Sequence, residues 1–436
     1  MKSKSLQWLV VLVLLSMLLS ACAPAATSTP AVVEKATEAP AVVEKPTEAS
    51  VATKAPSEAK VLKIGVAVSM TGAVAREGAF EKNGIDYWAE LVNNAGGFDV
   101  AGEKYKVELV YYDDQSNPET SMKLTEKLIT EDKVQFLIGP YSSGIQTAAA
   151  TIGEKYKIIT ITPLANATTI YSKGYKYIFS VLPPATKYLQ RLMDLAVTLD
   201  PAPKTIAIMV RDDPFGNSVA EGVKTRAEEN GLKVVYYEKF PKDVTDVSAM
   251  LSAIKALNPD IVVASTLYQD AVLITKQAKD LQLCPKMLSY SVGVSIPDFT
   301  KDLGPDANEI FGAEWWLPNM SWKGEVIPSA GEFASAIEAK YGYTPSYHTA
   351  GGAAAGLILQ LAIQDAGSLE TEKVRQALLN FKHDLFWGPT AWDETGANIA
   401  GASGVIQIQN GKVVSIYPED IQQAPPIYPM TCWTER

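Results

Sequence analysis

The residues of this chain best suited to holding a small anion are Ser142, Ser143 and Gly144. They follow the apolar run Val134-Gln135-Phe136-Leu137-Ile138 and the breaker Gly139-Pro140, and they precede residues 145–154, rich in Ala and Thr. The run is long enough for one strand buried on both faces. Proline cannot donate to a ladder and glycine permits a sharp turn, so the strand ends there. A serine at the start of the helix that follows caps free N–H groups, and the helix dipole adds partial positive charge. Such a strand–turn–helix junction can take a carboxylate without any charged side chain. The same serines also read as an ordinary N-cap, and at this point both readings stand.

Other reactive patterns are sparse. The two histidines, His348 and His383, have no metal-ligand partner at helical or zinc spacing. The G-x-S-x-G, H-E-x-x-H, Walker and C-x-x-C patterns are absent. Asp113-Asp114 and Asp212-Asp213 are adjacent acids in turns, where carboxylates ordinarily cap and solvate. Gly351, Gly352 and Gly356 lie among alanines with no strand before them, which points to close helix packing rather than a nucleotide loop. The sequence therefore asks for no catalytic residue, no cofactor and no metal. A formal net charge of −10 argues against nucleic acid and against a basic membrane patch.

The elements that position the serines begin after a leader. Lys2 and Lys4 precede the apolar stretch 9–15, a secretory signal too short for the ~20 residues of a membrane span. Leu19-Ser20-Ala21-Cys22 resembles the lipobox of bacterial lipoproteins, so residues 1–21 read as a cleaved signal peptide and Cys22 as the lipidated N-terminus. Residues 22–60 carry a ten-residue tandem repeat, 31–40 and 41–50, of Ala, Val, Pro, Thr, Glu and Lys. That composition buries too little apolar surface to offset ordering entropy and is expected to form a disordered tether. About 370 residues remain, enough for two domains.

In those residues strands at 61–69, 105–112, 134–138 and 157–161 alternate with helices at 79–94, 119–130 and 145–154. Pro183-Pro184 interrupts the rhythm. It restarts with a helix at 185–199, then strands at 205–210, 233–240, 260–265 and 286–289 separated by helices at 217–230, 247–257 and 270–283. The pattern predicts an α/β fold of two successive units, each a parallel sheet covered by helices. Ligands sit beyond the carboxyl ends of such strands, which singles out loops 70–78, 140–144, 162–168, 211–216, 266–269 and 290–294. Helices are predicted at 329–341, 346–365 and 369–379, and a hairpin over 405–417 turning at Asn410-Gly411.

Ile64-Gly-Val-Ala-Val-Ser-Met-Thr-Gly72, Asn93-Asn94-Ala-Gly-Gly97, Tyr111-Tyr112-Asp113-Asp114, Ile138-Gly139-Pro140-Tyr141-Ser142-Ser143, Asp213-Pro-Phe-Gly216 and Trp392-Asp-Glu-Thr-Gly396 occur in one order. Together they resemble the leucine/isoleucine/valine-binding family of type I periplasmic solute-binding proteins. The resemblance implies two Rossmann-like lobes joined by a three-segment hinge, lobe 1 being 61–183 plus 317–399 and lobe 2 being 184–316 plus 400–436. It implies a monomeric, extracytoplasmic lipoprotein, touching the membrane only through Cys22, that delivers a small carboxylated ligand to an ABC permease. The ligand would be an amino acid, branched-chain included, or a relative such as an amide or aromatic carboxylate. A minority of the family are ligand sensors, which is the alternative role.

Carried onto this chain, the family's carboxylate site falls on Ser143 and Gly144, flanked by Tyr141 and Ser142. Its amino-group site falls on Ala165 and Asn166, with Thr168 at a shifted register. Phe215 matches the aromatic cover from lobe 2, and Leu267, Tyr268 and Tyr347 are further wall candidates. The acid that pairs with a ligand ammonium falls near Ser291, which has no charge, and the first-loop aromatic is Glu77. A buried unpaired ammonium is costly, so either Glu77 supplies the counter-charge or the ligand lacks an α-ammonium. Cys284 and Cys432 both fall in lobe 2, where a bridge between them would leave closure free. Two separate thiols remain the alternative.

Overall fold

The computed structural model describes residues 58–435. The leader, Cys22 and nearly all of the tether lie outside the described residues. In the first half of the chain the elements are β1 Lys60–Val68, α1 Ala75–Asn94, β2 Phe98–Val100, β3 Glu103–Asp113, α2 Pro118–Thr130, β4 Phe136–Ile138, α3 Ser143–Tyr156, β5 Thr160–Thr162, α4 Thr168–Tyr171 and β6 Ile178–Ser180. Next come α5 Gln190–Ala196, β7 Thr205–Arg211, α6 Pro214–Glu229, β8 Lys233–Phe240, α7 Ser248–Leu257, β9 Ile261–Ser265, α8 Tyr268–Asp280, β10 Met287–Tyr290, α9 Pro297–Leu303 and β11 Phe311–Glu314. The chain ends with α10 Ala330–Tyr341, α11 Tyr347–Ala366, α12 Thr371–Leu379, β12 Gly404–Gln409 and β13 Lys412–Tyr417.

Strands β2-β3-β1-β4-β5-β6 form one sheet, parallel except for the β2–β3 hairpin. Strands β13-β12-β11-β10-β9-β7-β8 form the other, parallel except where β12 pairs with β11 and β13. This is the expected α/β fold of two parallel-dominated sheets. The chain passes between the sheets three times: after β6, after β11, and before β12.

Each sheet has the same device at its centre. Strand order reverses between β1 and β4 in one and between β7 and β9 in the other. Loops leaving neighbouring strands at such a switch point diverge to opposite faces and open a crevice at the carboxyl edge. The central strands can lie there because both faces are covered: Leu62, Ile64, Val66 and Val68 are buried on one face of β1 and Gly65 and Ala67 on the other, and Ile206–Val210 of β7 is buried throughout. Helix α11 fills the first lobe behind this edge. A Cβ on Gly84 of α1 would come within 1.9 Å of the Thr349 carbonyl oxygen of α11, so only glycine permits this helix contact. The indole of Trp88 donates to Gln360 at 3.0 Å across the same junction.

Several boundaries differ from expectation. Helix α1 starts at Ala75, not 79, so Glu77 sits in its first turn rather than in a loop. Its N-cap, Val74, has no side-chain oxygen, and the hydroxyl of Ser116 accepts from Val74 N at 3.1 Å instead. Helix α6 starts at Pro214, not 217, which moves Phe215 from loop to helix: Asp213 caps Gly216 N at 2.7 Å and proline suits the first helical position. The helix expected over 185–199 divides into a short 3₁₀ turn, Ala185–Lys187, and α5. Strands β2, β6 and β11 and helices α4 and α9 went unpredicted because each is only three to seven residues long. Cys284 and Cys432 form a disulfide, Cα atoms 5.3 Å apart, which resolves the two alternatives. Trp433 Nε1 donating to Leu283 O at 2.7 Å and Met430 N to Lys286 O at 2.8 Å fasten the C-terminal tail beside it.

Candidate functional site

Where the two switch points face each other, the first turns of α3, α6 and α8 converge on a cavity lined by Tyr141, Ser142, Ser143, Leu164, Tyr188, Asp213, Phe215, Leu267 and Val292. It encloses about 10 Å³, room for one water. A larger occupant requires the lobes to part.

Ser143 is the best-defined polar group here. Its side chain is nearly inaccessible, and its hydroxyl oxygen accepts from Asn166 N at 3.0 Å and Ala167 N at 3.1 Å. A hydroxyl has two lone pairs and one proton. Both lone pairs are engaged, so its remaining capacity is to donate. Ser142 is the N-cap, accepting from Ile145 N at 3.4 Å, and the N–H groups of Ser143 and Gly144 have no acceptor within the helix. Pro214 of the other lobe stands over Gly144, its Cδ 3.9 Å from where a Cβ would lie, so the helix start faces the seam.

The aromatic wall is cross-braced. Tyr188 meets Phe215 and Trp315 edge-on, each with centroids 5.1 Å away, and its hydroxyl donates to that of Tyr347 at 2.8 Å. Tyr347 N donates to Glu314 Oε1 at 2.9 Å, and burial pushes the Glu314 carboxyl up to about 8. The hydroxyl of Tyr141 lies 3.4 Å from His348 Nε2, a histidine that burial lowers to about 3 and so keeps neutral.

Lobe 2 contributes charge. Arg211 is bound by Asp270 through Nη1 at 2.7 and 2.8 Å and by Asp213 through Nε at 2.6 Å. Leu267 divides the cavity from a second recess of about 410 Å³, lined by Ala73 and Val74 of lobe 1 and by Arg211, Lys242, Asp243 and Asp270 of lobe 2.

The remaining expected residues stand elsewhere. Ala165 O accepts from Thr162 Oγ1 at 3.2 Å and Tyr171 OH at 3.1 Å, and the Asn166 amide donates to Pro183 O at 2.6 Å. Thr168 crosses the seam to Ser218, hydroxyl to hydroxyl, at 3.1 Å. Ser291 Oγ is tied to Thr266, accepting from its N at 2.9 Å and donating to its O at 3.1 Å. Glu77 is 2 % exposed and accepts from Tyr268 N at 3.3 Å across the seam, while Arg76 reaches Asp298 at 3.1 Å and lies over the Tyr268 ring. Glu77 and Tyr268 thus join the lobes beside the cavity and do not border it. Sequence reasoning missed Leu164, Tyr188, Asp213 and Val292 as lining residues. The loops at 162–168, 211–216 and 290–294 were the available signal, whereas Tyr188, inside an expected helix, had none.

Two sheets with opposed switch points and a cavity between the helix starts beside them have the layout of a small-molecule binding protein. The chain belongs to the periplasmic binding protein family, whose model matches residues 61–412. It is 29% identical over 343 residues to a leucine-, isoleucine-, valine-, threonine- and alanine-binding protein of Pseudomonas aeruginosa, covering 77% of this chain and 86% of that one. Among solved structures, a leucine binding protein from Thermotoga maritima superposes with a TM-score of 0.72 at 24% identity, covering 82% of this chain and 99% of that one. A solute binding protein from R. palustris in complex with 4-hydroxybenzoate gives 0.71 at 23%, covering 82% and 95%. The family resemblance and the type I periplasmic-binding-protein fold are therefore found as expected.

Proposed function

We propose that this chain is the extracytoplasmic, lipid-anchored solute-binding component of an ABC importer, and that it captures a small carboxylated molecule between its lobes. The observation that carries the reading is the Ser143 hydroxyl, held by two backbone N–H groups so that only its proton remains to be offered. With the open N–H groups of Ser143 and Gly144 it makes a cluster of donors at a helix start, the arrangement that suits a carboxylate. Lobe 2 closes with Phe215 and Leu267 and excludes water. The ligand raises the closed population because it touches both lobes only there. The Pseudomonas relative's amino acids and the 4-hydroxybenzoate of the R. palustris protein define the two ligand classes to screen.

The test is a thermal-shift screen of amino acids and benzoates, followed by calorimetry on the best ligand. One-to-one binding is expected, and Ser143→Ala weakens it by about 1–3 kcal/mol, the cost of leaving a charged acceptor one donor short. Unchanged affinity in that variant sinks the anion-anchor role. No saturable binding from either class by folded protein sinks the reading as a whole.

A further inference from the structure

The space between the lobes continues past the cavity. Beyond Leu267 lies the recess of about 410 Å³, and among the described residues only Leu267 borders both spaces. We propose that this recess receives the tail of the bound ligand, so that the protein selects elongated carboxylates whose apolar chain leaves the cavity past Leu267. This inference rests on the binding function proposed above and names the ligand class that function serves.

Three observations lead to it. The first is room. The cavity encloses about 10 Å³, whereas the recess falls within the ~300–1,000 Å³ of small-molecule pockets. Its rim is exposed, so the lobes can close over the head of a ligand without having to enclose the far end. The second is direction. Other walls of the cavity are backed by packed groups. Tyr188 is braced by Phe215, Trp315 and Tyr347, and Tyr141 by His348. Leu164 lies against α11, where a Cβ on Gly351 would come within 2.9 Å of its Cδ2. Leu267 has the recess behind it instead. Its backbone is fixed at the start of α8, the N–H donating to Asp270 Oδ2 at 2.8 Å, while its side chain is a single aliphatic group between two spaces. With open space on one side it changes rotamer without displacing a packed neighbour, and so serves as a movable partition.

The third is chemistry. The floor of the recess is apolar, formed by Val74 of lobe 1 with Val244, Leu267 and Leu273 of lobe 2. Its two buried charged groups are paired, Asp270 taking Arg211 Nη1 with both oxygens at 2.7 and 2.8 Å. The other polar residues of the lining, Lys242, Asp243, Thr245 and Gln269, stand exposed at the rim and keep their water. An alkyl chain laid on this floor therefore leaves water without breaking a polar contact. Because both lobes contribute to the floor, the tail adds to the contacts that exist only when the lobes are together.

Two chain-length series test this by calorimetry. One is butanoate, hexanoate and octanoate; the other is 2-aminobutanoate, 2-aminohexanoate and 2-aminooctanoate, so that the outcome does not depend on an amino group at the head. A fully buried CH₂ is worth about fourfold in affinity, and one lying in a half-open recess about twofold. Wild type is expected to bind one to one, with affinity rising about tenfold or more from the shortest to the longest member of at least one series. Ala73→Trp fills the recess from an exposed position on its lobe 1 side, and Leu273→Trp fills it from α8. In both variants the ratio between longest and shortest falls towards one. Flat affinity along both series in wild type, or a ratio that survives both folded variants, overturns the recess as a tail site while leaving carboxylate binding intact. Failure of every member of both series to bind, when an amino acid or benzoate from the screen does bind, overturns it in the same way. If none of the screened compounds binds either, the proposed function falls with it.

Discussion

Closure of the lobes carries a pH dependence that can be worked from Glu77. Its carboxyl belongs to the first turn of α1 and is buried where it meets Tyr268 N of the other lobe. Burial is the main cause that pushes it from 4.5 up to about 7, with Asp270 adding to the rise and Arg76 opposing it. Parting the lobes returns it to water and to its ordinary value. An acid whose affinity for protons is higher in the closed form favours closure at low pH. That advantage is lost as pH rises between the two values. The full difference is about 3 kcal/mol, and between pH 5 and pH 8 the two titrations give about a 70-fold weakening of any ligand bound only by the closed form. The assay is calorimetry over that range with a ligand whose own charges stay constant. In Glu77→Gln the amide oxygen still accepts from Tyr268, the ionisation is gone, and the profile flattens. A flat wild-type profile, or an unchanged slope in the glutamine variant, refutes the reasoning.

Other outcomes follow from single contacts. Cys432→Ser opens the bridge to Cys284 and is expected to cost about 2–4 kcal/mol in guanidinium unfolding with ligand affinity unchanged, because the bridge lies away from the cavity. Gly84→Ala drives a methyl into the Thr349 carbonyl of α11 and destabilises by about 1–3 kcal/mol or more, read as a lower melting temperature. His383 is held by Asp365 at 2.9 Å and Glu325 at 3.0 Å. Burial lowers its proton affinity, but those carboxylates outweigh it and hold it above the ordinary value. Its stabilising charge is therefore complete below about pH 6.5 and fades as pH rises through the elevated value; His383→Gln removes that part of the melting profile.

The alternation of strands and helices was legible because each central strand is a continuous apolar run, which only a doubly covered sheet accommodates. The hairpin turn at Asn410-Gly411 was legible for a local reason, both residues taking positive φ. What escaped depends on partners far away in the chain. Val74 begins a helix with the help of Ser116, and Tyr188 reaches the cavity because Tyr347 and Trp315 brace it. Asp213 was visible as a residue but read as a turn acid. Its position at the cavity follows from the opposition of two sheets, which no local spacing encodes. Ser143 was legible as a helix-start serine, but the engagement of its oxygen by Asn166 and Ala167 was not.

That engagement makes the serine a one-way contact. An ordinary hydroxyl is ambidextrous and tolerates a guest that brings either a proton or a lone pair. Here the oxygen has nothing left to give, and the neighbouring N–H groups of the helix start are donors too. A guest that turns an N–H or O–H to Ser143 finds no free lone pair on its hydroxyl. In the proposed binding role, Ser143 would sort molecules by the polarity of their leading edge, favouring those that arrive with bare oxygens over amidated counterparts that point the NH₂ at its hydroxyl.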